Sequence, residues 1–116
     1  MSVNRARGEV SVEIEGKPYV LVYDLDALAS IEGELQMHPL SAMALIEKSA
    51  KVFRAFLLAG LRRHHPEITA EDVGKMYCPV MVVGEPVMDA LDLAYLGPEH
   101  LRKPVEGDDK AAKKKR

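Results

Sequence analysis

Alternation opens the chain. From Glu9 to Glu15 the residues read Glu-Val-Ser-Val-Glu-Ile-Glu, which puts Val10, Val12 and Ile14 on one face of a strand and the polar residues on the other. Gly16-Lys17-Pro18 reads as a turn-like break. Tyr19-Val20-Leu21-Val22-Tyr23 follows, dense in β-branched and aromatic residues that suit a pleated surface. Two such runs around a short Gly-containing loop predict a β-hairpin. A lone hairpin is marginal in water, so its apolar face needs helices to pack on.

The period then changes to that of a helix. Asp24 stands as an N-cap, followed by Leu25, Leu28, Ile31 and Leu35 at helical spacing, with Asp26, Glu32 and Glu34 facing water. Met37-His38-Pro39 marks the exit. Ser41 is expected to open the longest helix, with Leu45, Ile46, Phe53, Phe56, Leu57 and Gly60 on one side. Pro66 should end it near Arg63 to His65. Thr69-Ala70-Glu71-Asp72 approximates a capping box, with Asp in place of Glu, and starts a short helix to about Tyr77 that Cys78-Pro79 breaks. Val80-Met81-Val82-Val83 is apolar throughout and ambiguous between strand, buried loop and helix. Pro86 suits the start of a last helix carrying Val87, Met88, Leu91, Leu93 and Ala94, closed by Gly97-Pro98. The prediction is a single α+β domain over residues 1–103, an N-terminal β-hairpin followed by about four α-helices. A flexible, charged tail is expected over 104–116.

Composition narrows the function classes. A chain of 116 residues suits one domain, and its net charge of −2 argues against a strongly basic nucleic-acid binder. The charge is uneven. Gly107–Arg116 holds five basic and two acidic residues, so the first 106 keep 11 basic against 16 acidic, a net −5. The tail has no apolar residue beyond Ala111 and Ala112 to offset its ordering entropy, and is expected to be disordered. No apolar run is long enough to span a bilayer, and Met1 to Arg7 has no apolar core for a signal peptide. The lone Cys78 excludes an internal disulfide framework and suits a reducing compartment. A cytoplasmic protein is the expectation, with no membrane partner.

Catalytic signatures are sparse. His64 and His65 are adjacent, and neighbours on a helix point about 100° apart, so they do not converge on one ion as an i, i+4 pair can. With Arg62 and Arg63 they read as a polar helix end, where basic groups face the carbonyl terminus favourably. Cys78 has no recognisable nucleophile signature and reads as a small buried side chain before Pro79. Glu85 with Asp89, and Asp89 with Asp92, read as solvated helix surface, although paired carboxylates serve many acid/base mechanisms. The eight glycines are scattered singly, with no phosphate loop. No enzymatic activity, cofactor or metal is expected. The methionines are more suggestive, because Met37, Met43, Met76, Met81 and Met88 lie in or beside apolar segments. Met serves both as core filler and at adaptable binding surfaces. The Val80–Val83 segment is the first candidate for a protein-binding surface.

The order of residues adds a further expectation. Asn4-Arg5-Ala6-Arg7-Gly8-Glu9-Val10, Glu15-Gly16-Lys17-Pro18-Tyr19, Asp24-Leu25-Asp26-Ala27-Leu28 and Ile31-Glu32 resemble a family of gene transfer agents and related tailed phages. It is a small tail assembly chaperone encoded near the tape-measure gene, also labelled a tail tube protein. The similarity continues through Phe56 to Arg62 and Thr69 to Val73 and weakens beyond Met76, where Cys78-Pro79-Val80-Met81 and the basic tail are departures. The resemblance implies a non-enzymatic protein of the bacterial host cytoplasm that binds the tape-measure protein, or other tail proteins, before the tube polymerises. A helix-in-groove mode suits such a partner, and Leu57, Leu61, Met81 and Val83 are the residues expected to touch it. A homo-oligomer is left open. The resemblance also implies a longer, frameshifted product, for which the codons of Lys113, Lys114 and Lys115 would supply a slippery run. Two other classes stand beside it. One is a structural, tube-associated tail protein, for which a single hairpin is thin support. The other is a nucleic-acid-binding regulator resting on Lys113, Lys114, Lys115 and Arg116, against which the acidic body argues.

Overall fold

Val10–Ile14 (β1) and Lys17–Leu21 (β2) pair antiparallel, with Val10 opposite Leu21, Val12 opposite Tyr19 and Ile14 opposite Lys17. The computed structural model describes residues 3–98; the expected domain end at 103 and the tail, with Lys113 to Arg116, lie outside them. Val10, Val12 and Ile14 are buried while Ser11 and Glu13 are exposed, as the alternation predicts. The turn is tighter than expected. Glu15 and Gly16 alone make it, both at positive φ (55° and 80°), and Lys17 and Pro18 already belong to β2. A two-residue turn with both central residues left-handed matches the twist of the strands it joins. Pro18 is tolerated because each strand of a two-stranded sheet is an edge.

Five helices follow among the described residues: α1 (Leu25–Leu35), α2 (Pro39–Met43), α3 (Ala50–Leu61), α4 (Ala70–Gly74) and α5 (Val80–Leu96). Asp24 caps α1 as expected, its Oδ1 accepting the Ala27 N–H at 2.8 Å. Leu25 does not join the buried face and is 82% exposed. At 3.6 residues per turn it lies about 120° round the helix from Ile31, which is at the centre of that face. The long helix expected from Ser41 is two helices. Ser49 adopts an extended conformation and its Oγ accepts the Val52 N–H, starting α3 afresh after a run of tight turns. Pro39 sits at the start of α2, where its missing N–H has no intrahelical partner to lose.

The last helix also departs from expectation. It starts at Val80, and Pro86 lies inside it. Proline there removes the bond to the carbonyl four residues back, that of Val82. Val82 is 68% exposed, so water can serve that carbonyl, and burial of Val83, Val87, Ala90 and Leu91 holds the helix together.

Helix α3 is the element on which the others assemble, touching α1, α4, α5 and β2, while α5 covers β1. Its contact with the hairpin is unusually close. A Cβ on Gly60 would lie 2.7 Å from the ring and hydroxyl of Tyr23 and 3.0 Å from Leu21 Cδ2. Glycine is therefore required by space rather than by backbone angle. The Tyr23 hydroxyl donates to the Phe56 carbonyl at 2.6 Å, and the Val22 N–H donates to the Gly60 carbonyl at 3.0 Å. Full burial pushes the Tyr23 phenol well above its ordinary pKa, so it stays a donor.

Two substitutions test this seam. Gly60→Ala should destabilise the protein by about 1–3 kcal/mol through overpacking, and Phe56→Ala by about 3–5 kcal/mol through the cavity it leaves. Both should appear as lower urea midpoints with unchanged slopes. A wild-type midpoint for Gly60→Ala would show that Tyr23 does not need that space.

Candidate docking surface

The chain between α4 and α5 divides its apolar residues between two environments. Met76, Cys78 and Val80 are half-buried, whereas Tyr77, Met81 and Val82 are 74%, 67% and 68% exposed. Tyr77 is held in place through its backbone, whose N–H donates to Glu15 Oε2 of the hairpin turn at 3.0 Å. The half-buried side chains line a groove of 270 Å³ between α3 and α4, together with Phe53, Leu57 and Val73. Lys51 and Arg54 are the charged residues on its wall.

Helix α4, the far wall, is only five residues long and depends on its cap. Thr69 Oγ1 accepts the Asp72 N–H at 3.1 Å, and Asp72 Oδ2 accepts the Thr69 N–H at 2.9 Å. The capping box expected from the sequence forms with Asp in the Glu position. The hydrogen bonds from Thr69, its backbone N–H first, hold the Asp72 carboxyl below its ordinary pKa.

Of the four apolar residues expected to touch a partner, Met81 alone is on the surface. Leu57, Leu61 and Val83 are 1%, 0% and 2% exposed and belong to the core. Each lies on the face its helix turns toward the hairpin and its neighbouring helices, where periodicity marks burial and not availability. Leu57, although buried, contributes to the floor of the groove. Conversely, Val82 lies within the Val80–Val83 segment expected to bind and is exposed, whereas Tyr77 is an exposed residue outside that segment.

The basic cluster at the end of α3 is used internally. Arg63 pairs with Asp24 at 3.1 Å, Arg62 donates to Ser30 Oγ at 3.1 Å, and His64 lies 3.2 Å from Glu9. His65 accepts the Val20 N–H through Nε2 at 3.0 Å and packs edge-on to Tyr19. His65 thereby covers the strand edge at Val20. Asp89 likewise receives both guanidinium nitrogens of Arg5 at 3.0 Å, fastening the N-terminal segment to α5.

Burial, with the Glu15 carboxylate adding to it, raises the Cys78 thiol pKa, which works against thiolate chemistry. Among the described residues no group of three or more His, Cys, Asp or Glu side chains comes together around a metal-sized site. No described helix is long and apolar enough to cross a membrane. No protein-family model, curated protein or solved structure matches the chain.

The cap of α4 has a pH signature. A carboxyl with a lowered pKa in the fold contributes stability above its ordinary pKa and loses it as pH falls through the lowered one. By NMR, Asp72 should titrate below unpaired surface aspartates, and Thr69→Ala should return it toward them. An unchanged Asp72 titration in that variant would break the link to the capping box.

Proposed function

We propose that this chain is a non-enzymatic tail assembly chaperone of a phage-like or gene-transfer-agent particle, acting in the bacterial cytoplasm and binding the tape-measure protein during assembly. The observation that carries the reading is the uncovered apolar segment at Tyr77, Met81 and Val82 beside the α3–α4 groove. Large apolar side chains grouped on a surface mark protein contact more often than they mark catalysis. The segments that resemble the tail chaperone family support it from another side, since they build the hairpin and its connection to α1.

A long tape-measure chain would offer apolar helix faces repeatedly, so many weak contacts could act together. A tube subunit would need more sheet than this two-stranded hairpin to close a ring.

Co-expression tests the proposal. The tape-measure protein encoded beside this chain should stay soluble in its presence and precipitate without it. Tyr77→Asp and Met81→Asp should each weaken that protection. Both positions are exposed, so stability should move by no more than about 0.5 kcal/mol, and circular dichroism should be unchanged. Equal solubility with and without the chain would overturn the chaperone reading.

A further inference from the structure

The groove between α3 and α4 has a chemical bias that the body of the protein lacks. Its floor and far wall are apolar, from Phe53, Leu57, Val73, Met76, Cys78 and Val80. Its charged lining is cationic only, from Lys51 and Arg54, one turn apart on α3. Neither cation is within ion-pair distance of a described carboxylate, whereas Arg5, Arg63 and Lys75 all have such partners. Glu34 and Glu71 line a second groove with the same two cations over the other flank of α3, and the Glu15 carboxylate near Cys78 accepts the Tyr77 N–H. Glu71 is occupied by Lys75 at 3.1 Å. On a body with net charge −5 over its first 106 residues, a groove lined by unpaired cations and no carboxylate is a local site that favours acidic segments.

We infer that this groove takes an amphipathic helix whose apolar face carries acidic residues on the flank that meets Lys51 and Arg54. The inference rests on the chaperone reading for its biological setting and names the chemistry of the partner segment. Apolar side chains at i, i+3, i+4 and i+7 would enter the groove, and carboxylates beside them would pair with the two cations. The exposed Tyr77, Met81 and Val82 extend the apolar contact beyond the groove. Charge at such a rim sets orientation and partner choice more than total affinity. A second copy of this chain is the less favoured occupant, because its other strongly exposed apolar side chains, Leu25, Leu40 and Leu96, stand on three different helices and do not make one helix face.

Two synthetic helices serve as probes, each about four turns long, identical in a Leu face at i, i+3, i+4 and i+7. One carries Glu on its flanks and the other Lys. Fluorescence anisotropy with the full chain should show the Glu peptide binding more tightly, with affinity falling as salt rises. The Lys51→Glu, Arg54→Glu double variant should weaken the Glu peptide about tenfold and strengthen the Lys peptide. Both positions are exposed on α3, and circular dichroism and the urea midpoint report whether the variant is folded. If it is not, Lys51→Gln with Arg54→Gln should abolish the preference between peptides. Equal binding of both peptides by the wild-type chain, or a preference that survives either variant, would overturn the inference. A clear Glu-peptide preference without protection of the tape-measure protein would leave the groove's chemistry standing and remove the chaperone reading. Protection that the double variant retains would do the reverse.

Discussion

The fold depends on how closely the strand leaving the hairpin approaches the middle of α3. Gly60 removes the one Cβ that would collide with Tyr23, and the ring takes that space. Once there, its hydroxyl is fully buried and must find an acceptor, because an unmatched buried hydroxyl costs about 1–3 kcal/mol. The Phe56 carbonyl, one helical turn before Gly60, supplies it at 2.6 Å. The Val22 N–H then reaches the Gly60 carbonyl itself, so the chain beyond β2 is bonded to the helix as a strand is to a neighbour. Shape and polarity are satisfied by the same approach. Losing the small residue would loosen both.

From that seam the remaining elements are placed by contacts distant in sequence. His65, just past the end of α3, covers the Val20 N–H of β2. Arg63 ties the same end to the cap of α1 through Asp24, and His64 reaches Glu9 before β1. Four consecutive basic residues that look like a solvated helix end therefore act as the clasp between α3, α1 and the hairpin. Surface ion pairs contribute little singly. Their part here is to set orientation, while the buried residues of the hairpin, α3 and α5 supply most of the apolar core.

What the sequence makes legible follows from distance along the chain. The β1 alternation, the Asp24 cap and the Thr69–Asp72 box are decided within a few residues, and each is found as read. The interruption at Ser49 was not legible, because Leu45 through Leu57 carries a continuous apolar period that masks a change of helix. The early start of α5 was hidden by Pro86, whose local penalty is overridden by burial on β1 that only the tertiary structure reveals. The docking surface was half legible. Val80–Val83 was singled out as apolar and ambiguous, but the same apolar character describes core and contact. Val83 faces inward and Met81 and Val82 outward because of where α5 lies, not because of their residue type.

The uncovered segment also limits the kind of binding it can support. Covering Met81 and Val82 completely would contribute about 1.5–3 kcal/mol each, with Tyr77 adding contact through its ring. Association of two free bodies costs roughly 4–15 kcal/mol in lost motion before side-chain ordering is counted. A surface of this size therefore gives a weak complex with an isolated helix. It becomes effective when many such helices are strung along one chain, because each engaged copy raises the local concentration for the next. For the proposed chaperone role, a small apolar area, an adaptable methionine and a short capped helix as one wall would suit a contact that is later released. A large, fully apolar interface would bind more tightly and release too slowly to be displaced.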